Sequence, residues 1–452
     1  MLGNSILKLV ASRPARRRGL HVVRGRRAPA VAAAPWFTAD LGRLLASAST
    51  WGFAFSTFYL LPKFLAQELG ADPSEIGMVV GVFSFATVAA TPFAGWVVDR
   101  HPRRYAMIAG ALLMVIAAAG FVAVHDIGPL LAVLRVLQGL SYALVVTAVG
   151  TLVADVVPRE RLNQALGFSG ASMLVMNAVA PAVAEPLAAA YGWSVVFVVA
   201  AGAAVIATVL AMQVREPTWT RAEQGGGMLA LLAQPIARHY GAVVALSGAT
   251  FGAVFTFEPA YALALGRTRV SGFFIAYACA AIVVRLVFGG IPARLGSYRV
   301  ARGSLALYAL VVLALAVAGP RALEPLGALF GLAHGLLYPA VNTMAVTAVR
   351  AHERGRMIAI FTGAFALGLA AGSTLLGYVA AAAGYPLVFV AAACGTLVAL
   401  AILVGSSPLR AAGAALNCAG VAFIAAGVVL DGAGAGLDEA SAALSPRRPS
   451  CS

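Results

Sequence analysis

Long apolar stretches broken by short arginine-bearing turns run through nearly the whole chain. Many reach about 20 residues, the length a helix needs to cross the hydrocarbon core of a bilayer. Inside lipid a backbone N–H or C=O finds no water, so such a stretch must satisfy its own peptide groups by coiling into a helix. Composition points the same way. Of 452 residues, 61% are hydrophobic and 11% charged, where a soluble domain carries about 25% charged residues. The chain reads as an all-α polytopic membrane protein.

Runs and breakers place spans near 43–62, 75–98, 105–124, 129–157, 162–188 and 193–213, then near 240–265, 271–293, 302–318, 323–349, 356–382 and 385–404. That makes twelve transmembrane helices, six in each half. The expected organisation is a basic extension over 1–38, a six-helix bundle over 39–213, a linker over 214–239, a second six-helix bundle over 240–405 and an Ala/Gly-rich tail over 406–452. The linker, VREPTWTRAEQGGGMLALLAQPIARH, has the charge, proline and triple glycine of a solvated connection. Residues 411–430 are long enough to span, but a thirteenth helix would carry Arg447 and Arg448 to the opposite side. A tail peripheral to the bilayer is expected instead.

Charge orients the spans. With both termini and the even-numbered loops on one side, 26 of the 32 Lys and Arg fall on that side. Lys63, Arg267, Arg269 and Arg321 fall on the other, and only Arg135 and Arg285 lie within spans. Basic residues concentrate on the cytoplasmic side of membrane proteins, so both termini are expected in the cytoplasm. Topology thus accounts for the net charge of +15, and no nucleic-acid partner is needed. The first 39 residues hold eight basic residues and no acid. They read as a targeting presequence, a lipid-binding arm or an unstructured basic extension. Arginine outnumbers lysine thirty to two, which fits a GC-rich bacterial genome and so an inner-membrane location. The chain is expected to work as a monomer.

Other classes find no support. Cys279, Cys394, Cys418 and Cys451 show no paired or metal-ligand spacing, and the six histidines are scattered. There is no phosphate-cradling GxxxxGK and no nucleophile elbow. No metal, cofactor or enzymatic activity is expected.

The halves repeat. PRERLNQALGFSGA from Pro158 aligns with AHERGRMIAIFTGA from Ala351, matching Glu160-Arg161 to Glu353-Arg354 and Gly170 to Gly363. Gly139-Leu140 and Tyr142 fall on Gly335-Leu336 and Tyr338. In GWVVDRHPRR, Gly95 maps near Gly289 and Arg100 near Arg294, while Asp99 meets Ala293. Repeated six-helix halves are how many secondary transporters are built, with a substrate site at the midplane between them.

The string G-x-x-x-D-R-x-x-R-R, from Gly95 through Asp99, Arg100, Arg103 and Arg104, resembles the signature loop of the major facilitator superfamily, with Pro102 where that family has glycine. RVLQGLSYALVVTAVG resembles the family's fourth-helix motif at Arg135, Gln138 and Gly139. APAVAEPL around Pro181 resembles the antiporter motif of the drug-exporting branches, with Ala180 and Ala184 in place of glycines. The resemblance covers the twelve-helix core and not the two ends. It implies that the loop latches the two halves in the outward-facing state, with Asp99 meeting the start of the eleventh helix near Gly355 and Arg356.

Physics asks more of the buried charges. Arg135 lies about six residues into its span, where an unpaired cation costs on the order of 2.5–3.5 kcal/mol even on the lenient insertion scale. Glu185 lies at a similar depth, so an Arg135–Glu185 pair, or Glu185 alone, is expected to carry proton coupling, the alternative being a static salt bridge or a lipid-edge acid. Glu258 is a second acid in the outer part of a span, suited to a proton or a cation, or to snorkelling. Arg285 is expected to anchor on carbonyls or on the second-half loop; an anionic ligand would reverse that. His334, Tyr338 and Asn342 recur at i, i+4 and i+8 on one helix face. With Gln138 they are candidates for the substrate cavity, or for interhelical hydrogen bonds. Trp51, Phe53, Phe55 and Tyr59 read as packing, and Gly368, Gly372 and Gly377 as sites of close helix contact. The expected function is alternating-access transport of a small organic molecule, proton-coupled and outward. Proton symport, facilitated passage, or a receptor that keeps the fold without transport are the alternatives.

Overall fold

The computed structural model describes residues 38–157, 161–216, 228–287, 295–350 and 353–405. The extension up to residue 37, the tail from 406 with its 411–430 stretch, the middle of the linker, and Gly289, Ala293 and Arg294 of the second-half loop lie outside the described residues.

Twelve helices make up the core: α1 (Ala39–Glu68), α2 (Pro73–Arg100), α3 (Arg103–Gly120), α4 (Pro129–Val156), α5 (Leu162–Tyr191) and α6 (Trp193–Met212) in the first half. The second half holds α7 (Pro235–Ala264), α8 (Ser271–Val287), α9 (Ser297–Ala316), α10 (Leu323–Thr347), α11 (Arg354–Ala383) and α12 (Tyr385–Val404). A short helix, Met228–Leu232, precedes α7. Eleven of the twelve are long and apolar enough to cross a bilayer, and α8 is described only as far as Val287.

Local chemistry sets the helix ends. Asp72 and Glu75 form a reciprocal capping box at the start of α2, with Pro73 in the first turn, where its missing N–H costs nothing. The Ser74 hydroxyl, then the Glu75 N–H, hold the Asp72 carboxyl below the usual carboxylate range. Gly192 and Gly384, at φ 82° and 79°, make the α5–α6 and α11–α12 junctions. Both turns use the left-handed backbone that glycine adopts without a Cβ clash, so the internal repeat reaches the loop geometry.

Within the first half, α4 packs on α2 and α3, and α6 on α1 and α3. Within the second, α11 and α12 pack on α7, while α10 packs on α8 and α9. The halves meet chiefly along two seams, α2 with α11 and α5 with α8, with smaller contacts of α1 and α2 on α7. Side chains such as Ile116, Val198, Leu310 and Leu375 stay exposed on the outer surface, as a lipid-facing belt requires and water would not favour.

The α7–α11 contact is built by glycines from both sides. A Cβ on Gly248 or Gly252 would collide with the Phe365 or Leu369 carbonyl, and one on Gly368 or Gly372 with the Ala245 or Ala249 carbonyl. Small residues at such spacing let two backbones approach without lipid between them. Gly77 and Gly377 do the same between α2 and α11, where a Cβ on Gly77 would stand 2.5 Å from the Ser373 oxygen.

Candidate functional site

The helices have two ends. One carries the arginine-rich loops, including α2–α3 at Arg100 to Arg103; the other, the far end, carries the α1–α2 and α7–α8 loops. A charged seal closes the far end. Glu185 of α5 lies 2.5 Å from the Lys63 Nζ. The backbone N–H groups of Val270 and Ser271, at the start of α8, donate to its two oxygens at 2.7 and 2.8 Å. Lys63 also donates to the Thr268 carbonyl at 2.6 Å. A carboxylate at a helix N-terminus meets both orphan N–H groups and the positive end of the helix dipole. Three of these four bonds cross from one half to the other. Arg267 and Glu324 form a further ion pair beside them.

This arrangement corrects the expected Arg135–Glu185 pair. The apolar run of the first span ends at Pro62, which places Lys63 in a loop, but α1 continues through a 3₁₀ turn at Phe58–Leu60 to Glu68 and carries Lys63 inward, where it is 7% exposed. It therefore reaches Glu185 itself. Arg135, 5% exposed, uses neutral partners instead: its Nε donates to the Val79 carbonyl at 3.1 Å and its Nη1 to Gln138 Oε1 at 2.6 Å. Its guanidinium also lies 4.8 Å from the centre of the Phe83 ring, a cation–π contact that offsets part of its desolvation.

Glu258 of α7 is 1% exposed, and among the described residues neither carboxyl oxygen has a hydrogen-bond partner. Its electrostatic neighbours are Glu324, Glu185 and Arg267. Beneath the seal Tyr59 of α1 packs edge-on to Phe255 and stacks on Phe274, at 5.3 and 5.8 Å, an aromatic plug between the halves. The helix-one aromatics thus pack as expected, Trp51 stacking on Phe55 at 5.4 Å, while Tyr59 belongs to the seam.

At the arginine-rich end the signature loop folds back on its own half. Pro102, extended at φ −53° and ψ 126°, is the N-cap of α3. Proline also biases His101 before it out of the helical region, which stops α2. Glu216 accepts from the backbone N–H of Arg103 at 2.8 Å and of Arg104 at 3.2 Å. The Arg103 side chain pairs with Asp155 of α4, and Arg100 lies over Trp96 at 4.9 Å. Asp99 is exposed and, among the described residues, has no ion pair or hydrogen bond; open space surrounds the Cβ position of Gly95. The expected contact of Asp99 with the start of α11 is not made in this shape, whose closed end is the other one. Asp155 and Glu216 were not anticipated. The only signal was an acid among arginines, which topology alone does not require.

Midway along the second half, Tyr277 of α8 bonds His334 Nδ1 of α10 at 2.9 Å. His334 Nε2, Tyr308 Oη, Asn342 Oδ1, Gln138 Nε2 and Arg285 Nε are buried without hydrogen-bond partners among the described residues. His334 and Tyr338 line a small pocket of about 10 Å³ with Phe361 and Phe365. Asn342 lies on the same helix, and Gln138 is held away by Arg135. In α5, Pro181 sits between Ala180 and Ala184, both buried. Among the described residues no three His, Cys, Asp or Glu side chains group as a metal site.

The profile of the Major Facilitator Superfamily matches residues 43–325 and 242–416. The chain belongs to this family. It is 25% identical over 357 residues to the uncharacterised MFS-type transporter YhhS of Escherichia coli K12, covering 76% of this chain and 86% of YhhS. It is 27% identical over 369 residues to an uncharacterised MFS-type transporter of Burkholderia mallei, covering 79% and 90%. Its fold is similar to that of the nucleoside transporter NupG, with a TM-score of 0.71 at 13% identity, over 80% of this chain and 98% of NupG. The superfamily chain is thus a transmembrane transporter and not an enzyme.

Proposed function

We propose that this chain is a proton-coupled secondary transporter that exports a small organic molecule from a bacterial cytoplasm. It works as a monomer in the inner membrane, with both termini cytoplasmic. The charge asymmetry of its loops supports the orientation, and the resemblance around Pro181 supports antiport.

The observation that carries proton coupling is Glu258. Five ionisable side chains gather at the far end: Lys63, Arg267, Glu185, Glu324 and Glu258. Two ion pairs consume both bases, leaving the Glu258 carboxyl buried and unpaired. An uncompensated buried charge costs several kcal/mol, which a bound proton removes. Glu185 is by contrast fully bonded, so its role is to seal. Glu258 takes a proton while the far end is open, and the neutral acid permits that end to close. Proton release toward the arginine-rich side then restores the charge and favours reopening.

Vesicles loaded with a pH-sensitive dye and offered a panel of cationic, neutral and anionic compounds test this. Glu258→Gln should abolish substrate-dependent proton flux and retain exchange of labelled for unlabelled compound. Undiminished proton flux in that variant refutes the assignment. A wild-type chain that moves no compound of any class favours a receptor that has kept the fold.

A further inference from the structure

We infer that the transported molecule is an organic anion whose oxyanion group is held by Arg285. The inference rests on the transporter reading and names its substrate class. Arg285 stands about 21 Å along α8 from Ser271, at about 1.5 Å per residue, well inside the bilayer. Among the described residues its guanidinium makes no hydrogen bond and no ion pair, and its Nε is buried without a partner. Among the described residues the expected anchoring to a carbonyl is not made, and the second-half loop, its other expected anchor, lies outside them.

No acid on the described helices balances it at that depth. Glu185 and Glu258 lie six residues from the far ends of α5 and α7, and the remaining acids lie at or near helix ends. Arg285 also faces the other half. A Cβ on Gly170 of α5 would stand 3.1 Å from its Nη1, so glycine leaves the guanidinium room at the seam.

The neighbours are rich in donors. Arg285 is within electrostatic range of Tyr277, His334 and Tyr338. Tyr308 Oη and His334 Nε2 are unpaired in the same cluster, where Tyr308 and His334 stack at 6.3 Å. An ionised carboxylate is acceptor-only, and arginine binds it through two parallel N–H bonds. Phe251, 4.8 Å from the His334 ring, and Phe365, 5.9 Å from it, form an apolar wall for the rest of the molecule. A cation without an acid, flanked by donors and aromatic rings, selects a small anion with an apolar body. A cationic or neutral substrate would leave the guanidinium unpaired.

Purified full-length protein in detergent, scanned for thermal unfolding with benzoate and indole-3-acetate beside their amides and benzylamine, reads the class. The carboxylates should raise the melting temperature of wild type. Arg285→Gln should weaken their apparent affinity by roughly 30-fold or more, and Arg285→Lys, which keeps the charge but loses the fork, by less. The same compounds are then offered to vesicles. Amides or benzylamine that bind and drive proton flux overturn the anion and leave the transporter standing. Carboxylates that stabilise Arg285→Gln as well as wild type also overturn it, as does binding by no class. Absence of flux with every class in wild type is the separate failure of the transporter reading.

Discussion

Replacing Glu185 with Gln should open the far end. In the sealed shape the Glu185 carboxylate accepts from Val270 and Ser271 and pairs with Lys63, which in turn holds the Thr268 carbonyl. Hydrogen bonds to a charged group contribute about 1.5–3 kcal/mol each. A glutamine oxygen can accept one of the two backbone N–H groups; the other is orphaned, and Lys63 is left without its counter-charge. Breaking a buried pair in this way costs about 3–5 kcal/mol. Part of that loss persists when the end opens, so about 3 kcal/mol is assigned to the sealed state alone. That is a shift of roughly 150-fold in the equilibrium between sealed and open. The assay is a spin-label distance between Asp126→Cys and Arg321→Cys, exposed on far-end loops of the two halves, in a background without native cysteines. The parent should give one short distance, and Glu185→Gln a population dominated by a longer one. An unchanged distribution in a folded variant refutes the seal.

Gly368→Leu should lower the melting temperature in detergent, because its side chain must displace the Ala245 carbonyl on the facing helix. Overpacking of this kind costs about 1–3 kcal/mol or more; a variant as stable as the parent contradicts the α7–α11 contact. Glu216→Gln should destabilise the start of α3 by about 0.5–2 kcal/mol, the range for losing an N-cap. Hydrogen exchange at Arg103 and Arg104 should rise, whereas Asp99→Asn should leave it unaltered, since Asp99 has no partner among the described residues.

The helix content was legible because lipid removes choice: an apolar stretch such as Tyr385–Val404 has no other way to satisfy its peptide groups. The glycines of α11 were legible for a similar reason, small residues at helical spacing having few other uses. Individual partners were harder. Depth in the bilayer can be counted along each helix, so Arg135 and Glu185 can be set at similar levels from sequence alone. Which helices face one another at that level cannot be counted, and Lys63 was hidden by an uncertain helix end. Arg285 shows the opposite failure: anchoring to carbonyls is common for such a residue, and only the neighbouring atoms show that this one has no such anchor among the described residues.

The sequence by itself determined the spans and their number, since both follow from local hydropathy. It also displayed the repeat, which the structure extends to the matching turns at Gly192 and Gly384. The tertiary structure decided which charges meet, which end is closed and which polar atoms are left unsatisfied. Those are relations between helices far apart in the chain, and they depend on rotation and contact, which no one-dimensional pattern contains.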